Sequence, residues 1–171
     1  MSLLQVAEGL WLDPWVAACY GSWRRTPPEM KRSPSRTVKL DVASRFDMLE
    51  MVQTVLTHLS GLAGFDEEAT HYMSVALRES VINAIKHGNR GDEDKRVAIA
   101  FAVEAGTLEV SIRDEGGGFD PESVPNPTAV ENLLKVDGRG IFFMRSFMDD
   151  VSYAFPPGGG TIVTMVKRKK S

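Results

Sequence analysis

The chain has 171 residues, of which 43% are hydrophobic and 25% charged, and its formal net charge is −3 at pH 7. This length favours one domain with a substantial core, the slightly acidic balance excludes a general nucleic-acid-binding surface, and no apolar run is long enough to span a bilayer. The single cysteine, Cys19, excludes an internal disulfide, so we expect a cytoplasmic protein without a membrane partner.

The first 35 residues differ in composition from the rest. They contain all three tryptophans and end in a stretch of basic residues and prolines, which is typical of a linker that packs poorly. The residues before that stretch either form a short amphipathic helix that docks on the domain or a partner, or are loosely ordered; a third alternative is that translation begins at Met30. We therefore predict a poorly packed or partly disordered extension over residues 1–35 and one folded domain over residues 36–171.

The segment before Cys19 superficially resembles a lipoprotein cleavage site. A signal peptide requires a basic start and an uninterrupted apolar stretch. Here no Lys or Arg precedes Arg24, and Glu8, Asp13 and Pro14 interrupt the apolar residues. The sequence therefore argues against export.

The folded part is predicted to begin with a strand and a helix. Residues 37–42 alternate apolar and polar, which predicts a half-buried strand. Ser44 is predicted to cap the helix that follows, in which apolar residues recur at helical spacing from Phe46 onwards. Gly61 and Gly64 are predicted to end that helix.

A second helix is predicted to begin at Asp66, its N-cap, and to end at Gly88, a left-handed C-cap. Within it, Glu79 and Asn83 are four residues apart and share a face, with Lys86 one turn further on. These groups suit magnesium-nucleotide chemistry, because Mg²⁺ binds few protein oxygens and one Asn carbonyl can be its only side-chain ligand. Taken alone, this pattern is more often a solvated polar face.

A polar turn is predicted over residues 89–94. A hairpin follows, with strands over residues 97–103 and 108–112. The second strand brings Asp114 to the sheet edge, and Gly116 and Gly118 follow it. A carboxylate in that position can accept a hydrogen bond from an exocyclic amine such as that of adenine. The glycines have no side chains to keep a ligand from the backbone.

The last third of the chain is predicted to contain a loop, a helix and a hairpin. Residues 122–137 lack strong periodicity, which is typical of a functional lid or a disordered loop. Gly138, Arg139 and Gly140 open a helix whose free N–H groups favour phosphate. The hairpin strands are predicted over residues 151–155 and 161–166.

The order of elements predicts the fold class. One strand, two helices, a hairpin, a loop, a helix and a second hairpin form an α+β two-layer sandwich. The sheet is expected to be mixed but mostly antiparallel, with the helices on one face.

Other common sites do not fit. A P-loop requires Lys followed by Ser or Thr after its last glycine, but Phe119 follows Gly118. A dinucleotide fingerprint beginning at Gly138 would require glycine at position 143, which is Phe143. The three histidines lack metal-ligand spacing, and no nucleophile elbow marks a catalytic triad.

Four segments, in order, resemble the four boxes of the GHKL ATPases, a superfamily that includes DNA gyrase and histidine kinases: ESVIN at 79–83, DEGGGF at 114–119, GRG at 138–140 and GT at 160–161. Within it, ALRESVINAIKHGN, GRGIFFMRSFMDDVSY and GGGTIVTMVKR are most similar to the anti-sigma-factor serine/threonine kinases. The resemblance covers about residues 37–168 and implies the Bergerat ATP-binding fold, a sheet of four or five strands under α-helices.

This resemblance implies that ATP and Mg²⁺ are used. Asn83 is implied as the magnesium ligand and Glu79 as the general base on the hydroxyl that is phosphorylated. Lys86 lies where some relatives place a cation that contacts phosphate.

The resemblance also implies the residues that hold the nucleotide. Asp114 receives the adenine amino group, with Thr161 near it, and residues 122–137 form the lid. The adenine and ribose wall is implied for Gly116 and Gly118. The phosphates are bordered by Gly138, Arg139 and Gly140.

The function implied is a protein serine/threonine kinase that phosphorylates an anti-anti-sigma partner of the STAS type and sequesters a sigma factor. Relatives dimerise, so a homodimer is one of the states left open. The first alternative is a nucleotide-gated sigma-factor-binding switch with little or no transfer. A histidine kinase is the second, but His58 lacks the acidic neighbour of a phospho-acceptor site.

Overall fold

The computed structural model describes residues 36–117 and 139–170, with Arg139 described by its backbone alone. Residues 1–35, predicted to be the N-terminal extension, lie outside the described residues. So do Gly118, Gly138 and the predicted lid over residues 122–137. The division into an extension and a domain stays a prediction.

Five strands and three α-helices form the described part of the chain. In chain order they are β1 (Arg36–Ala43), α1 (Leu49–Ala63), α2 (Glu67–Asn83), β2 (Arg96–Glu104), β3 (Thr107–Arg113), α3 (Arg139–Phe147), β4 (Asp150–Ala154) and β5 (Ile162–Arg168). A 3₁₀ turn at Phe46–Met48 precedes α1, and a π-helical turn at Ala84–Gly88 continues α2.

The strands form one sheet in the order β1-β2-β3-β5-β4. Every neighbouring pair of described strands is antiparallel, so the predicted α+β fold is confirmed, while the mixed sheet is corrected to an antiparallel one. Hairpins join β2 to β3 and β4 to β5, so these two pairs had to be antiparallel. The pairs that longer connections could have left parallel, β1 with β2 and β3 with β5, are antiparallel as well.

The core lies between one face of the sheet and the helices. Strand β2 shows why: Val97, Ile99, Phe101 and Val103 are buried, and the residues between them lie on the other face. Helices α1 and α2 cover the apolar face. The largest fully buried side chains include Phe101, Leu56, Met73, Leu77, Ile85, Ile99, Leu108, Ile112, Met144 and Met165. Within residues 36–117 and 139–170, no helix has both the length and the apolarity needed to cross a membrane.

The predicted start of α1 is wrong. Ser44 does not cap the helix, which begins at Leu49 without a side-chain cap, and its buried hydroxyl instead accepts a hydrogen bond from Asn89. Phe46 lies in the 3₁₀ turn and is 54% exposed. Gly61 lies within α1, and Gly64, with φ 81°, is the residue that ends it.

Helix α2 begins as predicted but ends differently. Asp66 accepts a hydrogen bond from the Ala69 backbone N–H at 2.7 Å, which confirms the N-cap. Gly88 is not the left-handed residue. The chain continues through the π turn, and positive φ occurs later, at Arg90 (59°) and Gly91 (72°). A left-handed backbone conformation therefore does not explain why position 88 is a glycine. The explanation is its packing within the candidate site described below.

Helix α3 is anchored to the sheet at its C-terminal end. The Lys167 ammonium on β5 donates a hydrogen bond to the Phe147 carbonyl at 2.8 Å, where it offsets the helix dipole. Asp149 accepts from the Arg168 backbone N–H and pairs with Lys167. The first turn of the helix, at the opposite end, lies against α2, with Gly140 beside Glu79.

Glu109 lies on the sheet face opposite the helices, because its neighbours Leu108 and Val110 face the core. Its pKa is raised, chiefly by burial and further by repulsion from Glu104 and Asp150, with Arg168 acting in the opposite direction. A carboxyl whose pKa is raised on folding destabilises the folded state once the pH rises above the pKa of the unfolded chain.

We therefore expect Glu109→Gln to raise the free energy of unfolding at neutral pH, with a gain that disappears at about pH 3.5, where the carboxyl is protonated in both states. Urea unfolding at the two pH values measures this. The exposed Asp94→Asn, which also removes one negative charge, is the control for the change in net charge. A Glu109→Gln variant that is less stable at neutral pH would contradict the assignment.

Candidate functional site

The first half of the site lies between α2 and the start of α3. Glu79 and Asn83 are half-buried and one turn apart on α2. A Cβ placed on Gly140 would lie 2.9 Å from Glu79 Oε2 and 3.4 Å from Asn83 Nδ2. The structure therefore brings together three residues that the sequence predicted for one site, and glycine at position 140 lets the helices approach without displacing the carboxylate.

The second half of the site lies where β3 and β5 end. The register pairs Arg113 with Ile162, so the next residues, Asp114 and Thr161, come opposite each other. The Asp114 backbone N–H donates to the Thr161 carbonyl at 3.1 Å. Thr161 lies beside Asp114 as predicted, and both are buried, with exposed fractions of 3% and 5%.

The two carboxylate oxygens of Asp114 have different surroundings. Oδ1 accepts hydrogen bonds from the backbone N–H groups of Thr161 at 3.0 Å and Gly116 at 2.8 Å. Of the residues that the structure describes, none donates to Oδ2. One oxygen is thus fixed by the backbone, and the other can accept from a ligand donor.

Glycines surround this carboxylate because there is no room for side chains. A Cβ on Gly88 would overlap the Asp114 carboxylate, and a Cβ on Gly116 would overlap the Gly88 carbonyl. A Cβ on Gly160 would overlap the Asp114 carbonyl. The Gly160 backbone N–H also donates to the Gly116 carbonyl at 2.6 Å. These backbone segments pack directly against each other around Asp114.

A single helical element connects the two halves. Asn83 ends α2, and Gly88 ends the π turn that continues it. The element that presents Glu79 and Asn83 to α3 therefore also places Gly88 against Asp114, and π turns inside helices are often found at functional sites.

The remaining predicted residues are placed as follows. Lys86 is exposed within the π turn, between the two halves. The backbone of Arg139 begins α3 next to Gly140, which confirms that these residues open a helix. Gly118 and Gly138 lie outside the described residues, so their roles stay predictions.

Asn89 is a residue of the site that sequence reasoning missed. The pattern Asn-Arg-Gly after a helix is typical of a polar turn. Asn89 is instead fully buried, with 0% exposure, and its side chain makes three hydrogen bonds. No local sequence signal distinguishes such an asparagine from a turn residue, because two of its partners, Ser44 and Glu115, lie far away along the chain.

The donor set fits a magnesium-nucleotide complex better than a protein-bound metal. Among the described residues, no three His, Cys, Asp or Glu side chains come together as a metal site. Mg²⁺ usually takes one or two protein oxygens and completes its shell with phosphates and water. A single amide oxygen from Asn83, next to a helix start, is compatible with that arrangement.

Comparison with known proteins gives a consistent result. The profile of the histidine kinase-like ATPase domain family matches residues 42–167. Serine-protein kinase RsbW of Listeria monocytogenes is 24% identical over 139 residues, which are 78% of this chain and 88% of that protein. Anti-sigma F factor of Halalkalibacterium halodurans is 37% identical over 103 residues, which are 59% of this chain and 70% of that protein.

Two solved structures share the fold. The SiaB–SiaC complex of Pseudomonas aeruginosa aligns with a TM-score of 0.60 at 13% identity, covering 90% of this chain and 97% of that chain. The RsbU and RsbW domains of a Mycobacterium tuberculosis protein align with a TM-score of 0.57 at 19% identity. This second alignment covers 80% of the present chain but only 33% of that longer chain.

The packing of Gly88 against Asp114 can be tested by substitution. In an unhindered position with negative φ, Gly→Ala usually stabilises. At Gly88 the added methyl group would overlap the Asp114 carboxylate, so we expect Gly88→Ala to lower the free energy of unfolding by about 1–3 kcal/mol in urea unfolding.

Gly117→Ala is the matched control, because a Cβ there meets no atom of the described residues within 4 Å. Its stability should change by no more than about 0.5 kcal/mol. Equal effects of the two substitutions would show that the Gly88–Asp114 contact is not tight.

Proposed function

The chain belongs to the histidine kinase-like ATPase domain family, and from this premise we propose that it is a cytoplasmic protein serine/threonine kinase. It uses ATP and Mg²⁺, phosphorylates a Ser or Thr of an anti-anti-sigma protein of the STAS type, and sequesters a sigma factor. Residues 36–171 form the kinase domain and residues 1–35 an extension. The names of the relatives support the class of activity. The observation that carries the proposal is that one helical element links the Glu79–Asn83 pair to the half-engaged carboxylate of Asp114.

Asp114 recognises the adenine base. Its Oδ1 is held by two backbone N–H groups, so Oδ2 is the acceptor for the exocyclic amino group. A guanine would present a carbonyl oxygen there instead of a donor, and the buried carboxylate would be left facing another acceptor. Thr161 lies beside this contact, and Gly116 and Gly118 form the wall of the base and ribose subsite.

The phosphates lie between α2 and the start of α3. The first N–H groups of α3 lack helical partners and favour an anion, and Gly138, Arg139 and Gly140 border this position. Lys86 supplies a further cation. Asn83 would hold Mg²⁺, which, when bound, offsets negative charge on the phosphates.

In this proposal Glu79 is the general base. It accepts the proton of the partner hydroxyl as that oxygen bonds to the γ-phosphorus, and the bond from phosphorus to the bridging oxygen breaks to release ADP. Because the transition state of phosphoryl transfer is loose, the main contribution of the protein is to position the groups and neutralise charge. The half-buried position of Glu79 beside Gly140 suits this role.

The second candidate is a nucleotide-gated switch that binds a sigma factor with little or no phosphate transfer. The similarity to a relative named anti-sigma F factor favours it, because that name describes binding. The two candidates differ in one product. The test incubates the protein with ATP, Mg²⁺ and purified STAS-domain proteins of the source organism and then measures intact masses. A phosphate adduct on the partner supports the kinase. Formation of ATP-dependent complexes without an adduct supports the switch.

Substitution of Glu79 separates binding from transfer. We expect Glu79→Ala to slow transfer to the STAS-domain protein by about 100- to 10,000-fold, the usual contribution of general-base catalysis, while the dissociation constant for ATP stays nearly unchanged. Asn83→Ala should weaken binding of magnesium-ATP as well. Transfer by Glu79→Ala at the rate of the unsubstituted protein would show that the base is misassigned.

Gly140→Ala tests the geometry around that base. The added Cβ would lie 2.9 Å from Glu79 Oε2, at the end of a flexible side chain that can move aside. We expect nearly unchanged stability but transfer slowed by about tenfold or more, because the carboxylate is displaced. Gly61→Ala is the control, because a Cβ there meets nothing within 4 Å in the described part of the chain. Equal transfer rates in the two variants would argue against a role for the Gly140 contact.

A further inference from the structure

We propose that Asn89 is a positioning residue that sets the selectivity of the site for the adenine amino group. This inference rests on the proposed function, since it concerns the same nucleotide. Asn89 does not line the site through its own side chain. It acts through Glu115, the residue after Asp114, and through Gly88, the residue before itself.

The first observation is the complete use of the Asn89 side chain. Its Nδ2 group donates to Ser44 Oγ at 3.1 Å and to the Arg96 carbonyl at 2.9 Å. Its Oδ1 accepts from the Glu115 backbone N–H at 2.8 Å. A fully buried amide with both donor hydrogens and its oxygen engaged has one orientation, so it holds its partners in fixed positions.

The second observation is the place where these bonds act. The Glu115 N–H belongs to the peptide unit that follows Asp114, so Asn89 fixes the backbone directly after the carboxylate. The Glu115 side chain returns to the Arg96 backbone N–H at 2.8 Å, which closes the connection to β2. Asp114 is thereby held on both sides, by Asn89 after it and by Thr161 opposite it.

The third observation is the position of Gly88. Its Cα packs against the Asp114 carboxylate, and its carbonyl packs against the Cα of Gly116. The backbone N–H of Asn89 donates to the Ala84 carbonyl at 2.7 Å, which closes the π turn and holds Gly88 in place. Asn89 therefore fixes two segments, the π turn and the strand end, whose contact orients Asp114 Oδ2.

The consequence concerns selectivity. In the proposed site, Asp114 Oδ2 accepts a hydrogen bond from the adenine amino group. A small shift of the backbone at the end of β3 would lengthen this hydrogen bond and leave the rest of the nucleotide site intact. Loss of the Asn89–Glu115 bond should therefore weaken the preference for ATP over purine riboside triphosphate, which lacks the amino group. A role limited to stabilising the fold would lower the melting temperature and leave that preference unchanged.

The test compares dissociation constants for ATP and purine riboside triphosphate by calorimetry. We expect the unsubstituted protein to prefer ATP by about tenfold or more, the effect of one buried hydrogen bond. Asn89→Ala should reduce this preference by at least about threefold, because it removes the acceptor for the Glu115 N–H. Asn89→Asp retains that acceptor but loses the two donors, so it should lower the melting temperature and keep most of the preference.

Ser44→Ala is the matched control. It removes one buried partner of Asn89 without touching the backbone after β3, where Asp114 lies. It should therefore lower the melting temperature and leave the preference for ATP unchanged. Circular dichroism verifies that each variant is folded, and Asn89→Asp, which has the shape of asparagine, serves if Asn89→Ala does not fold. In that case the loss of preference in Asn89→Asp would overturn the proposal.

The outcomes separate this inference from the proposed function. Failure of the unsubstituted protein to bind ATP overturns both. Binding of ATP with an equal preference in Asn89→Ala and the unsubstituted protein overturns the role of Asn89 alone. A loss of preference in Asn89→Ala that Asn89→Asp restores supports the positioning role.

Discussion

The contact between Gly88 and the Asp114 carboxylate is the constraint on which the rest of the site depends. It brings the end of a helix against the end of a strand at a distance that no side chain at position 88 would allow. Two further close contacts, of Gly116 with Gly88 and of Gly160 with Asp114, follow from it. Next to this contact, the backbone N–H groups of Gly116 and Thr161 donate to one oxygen of Asp114, and no described residue donates to the other.

This arrangement shows how residues far apart in sequence would serve one ligand in the proposed function. The sheet supplies a rigid acceptor at the end of β3. Helix α2 supplies the Glu79 carboxylate about one turn before its end and the Asn83 amide directly before the π turn. Helix α3 adds its N-terminal end, while Lys167 and Asp149 hold its other end on β5. Positions fixed by secondary structure are held more accurately than those on loops, which suits a reaction that depends on positioning.

The sequence predicted most of the fold, because apolar alternation and helical spacing are local signals that specify each strand and helix. It also predicted the neighbours Asp114 and Thr161, and Glu79, Asn83 and Gly140, from motifs that resemble a known family. It did not predict the parts that depend on tertiary contacts. Gly88 was interpreted as a left-handed cap, but its small size serves its packing on Asp114. Ser44 was predicted as a helix cap and Asn89 as a turn residue, but the two are buried and hydrogen-bonded to each other.

A crystal structure of the protein with Mg²⁺ and a non-hydrolysable ATP analogue tests the central claim most directly. The account predicts one nucleotide, with its adenine amino group in hydrogen-bonding distance of Asp114 Oδ2 and its magnesium ion ligated by the Asn83 side chain. A nucleotide bound at one of these residues but away from the other, or bound elsewhere on the protein, would contradict it.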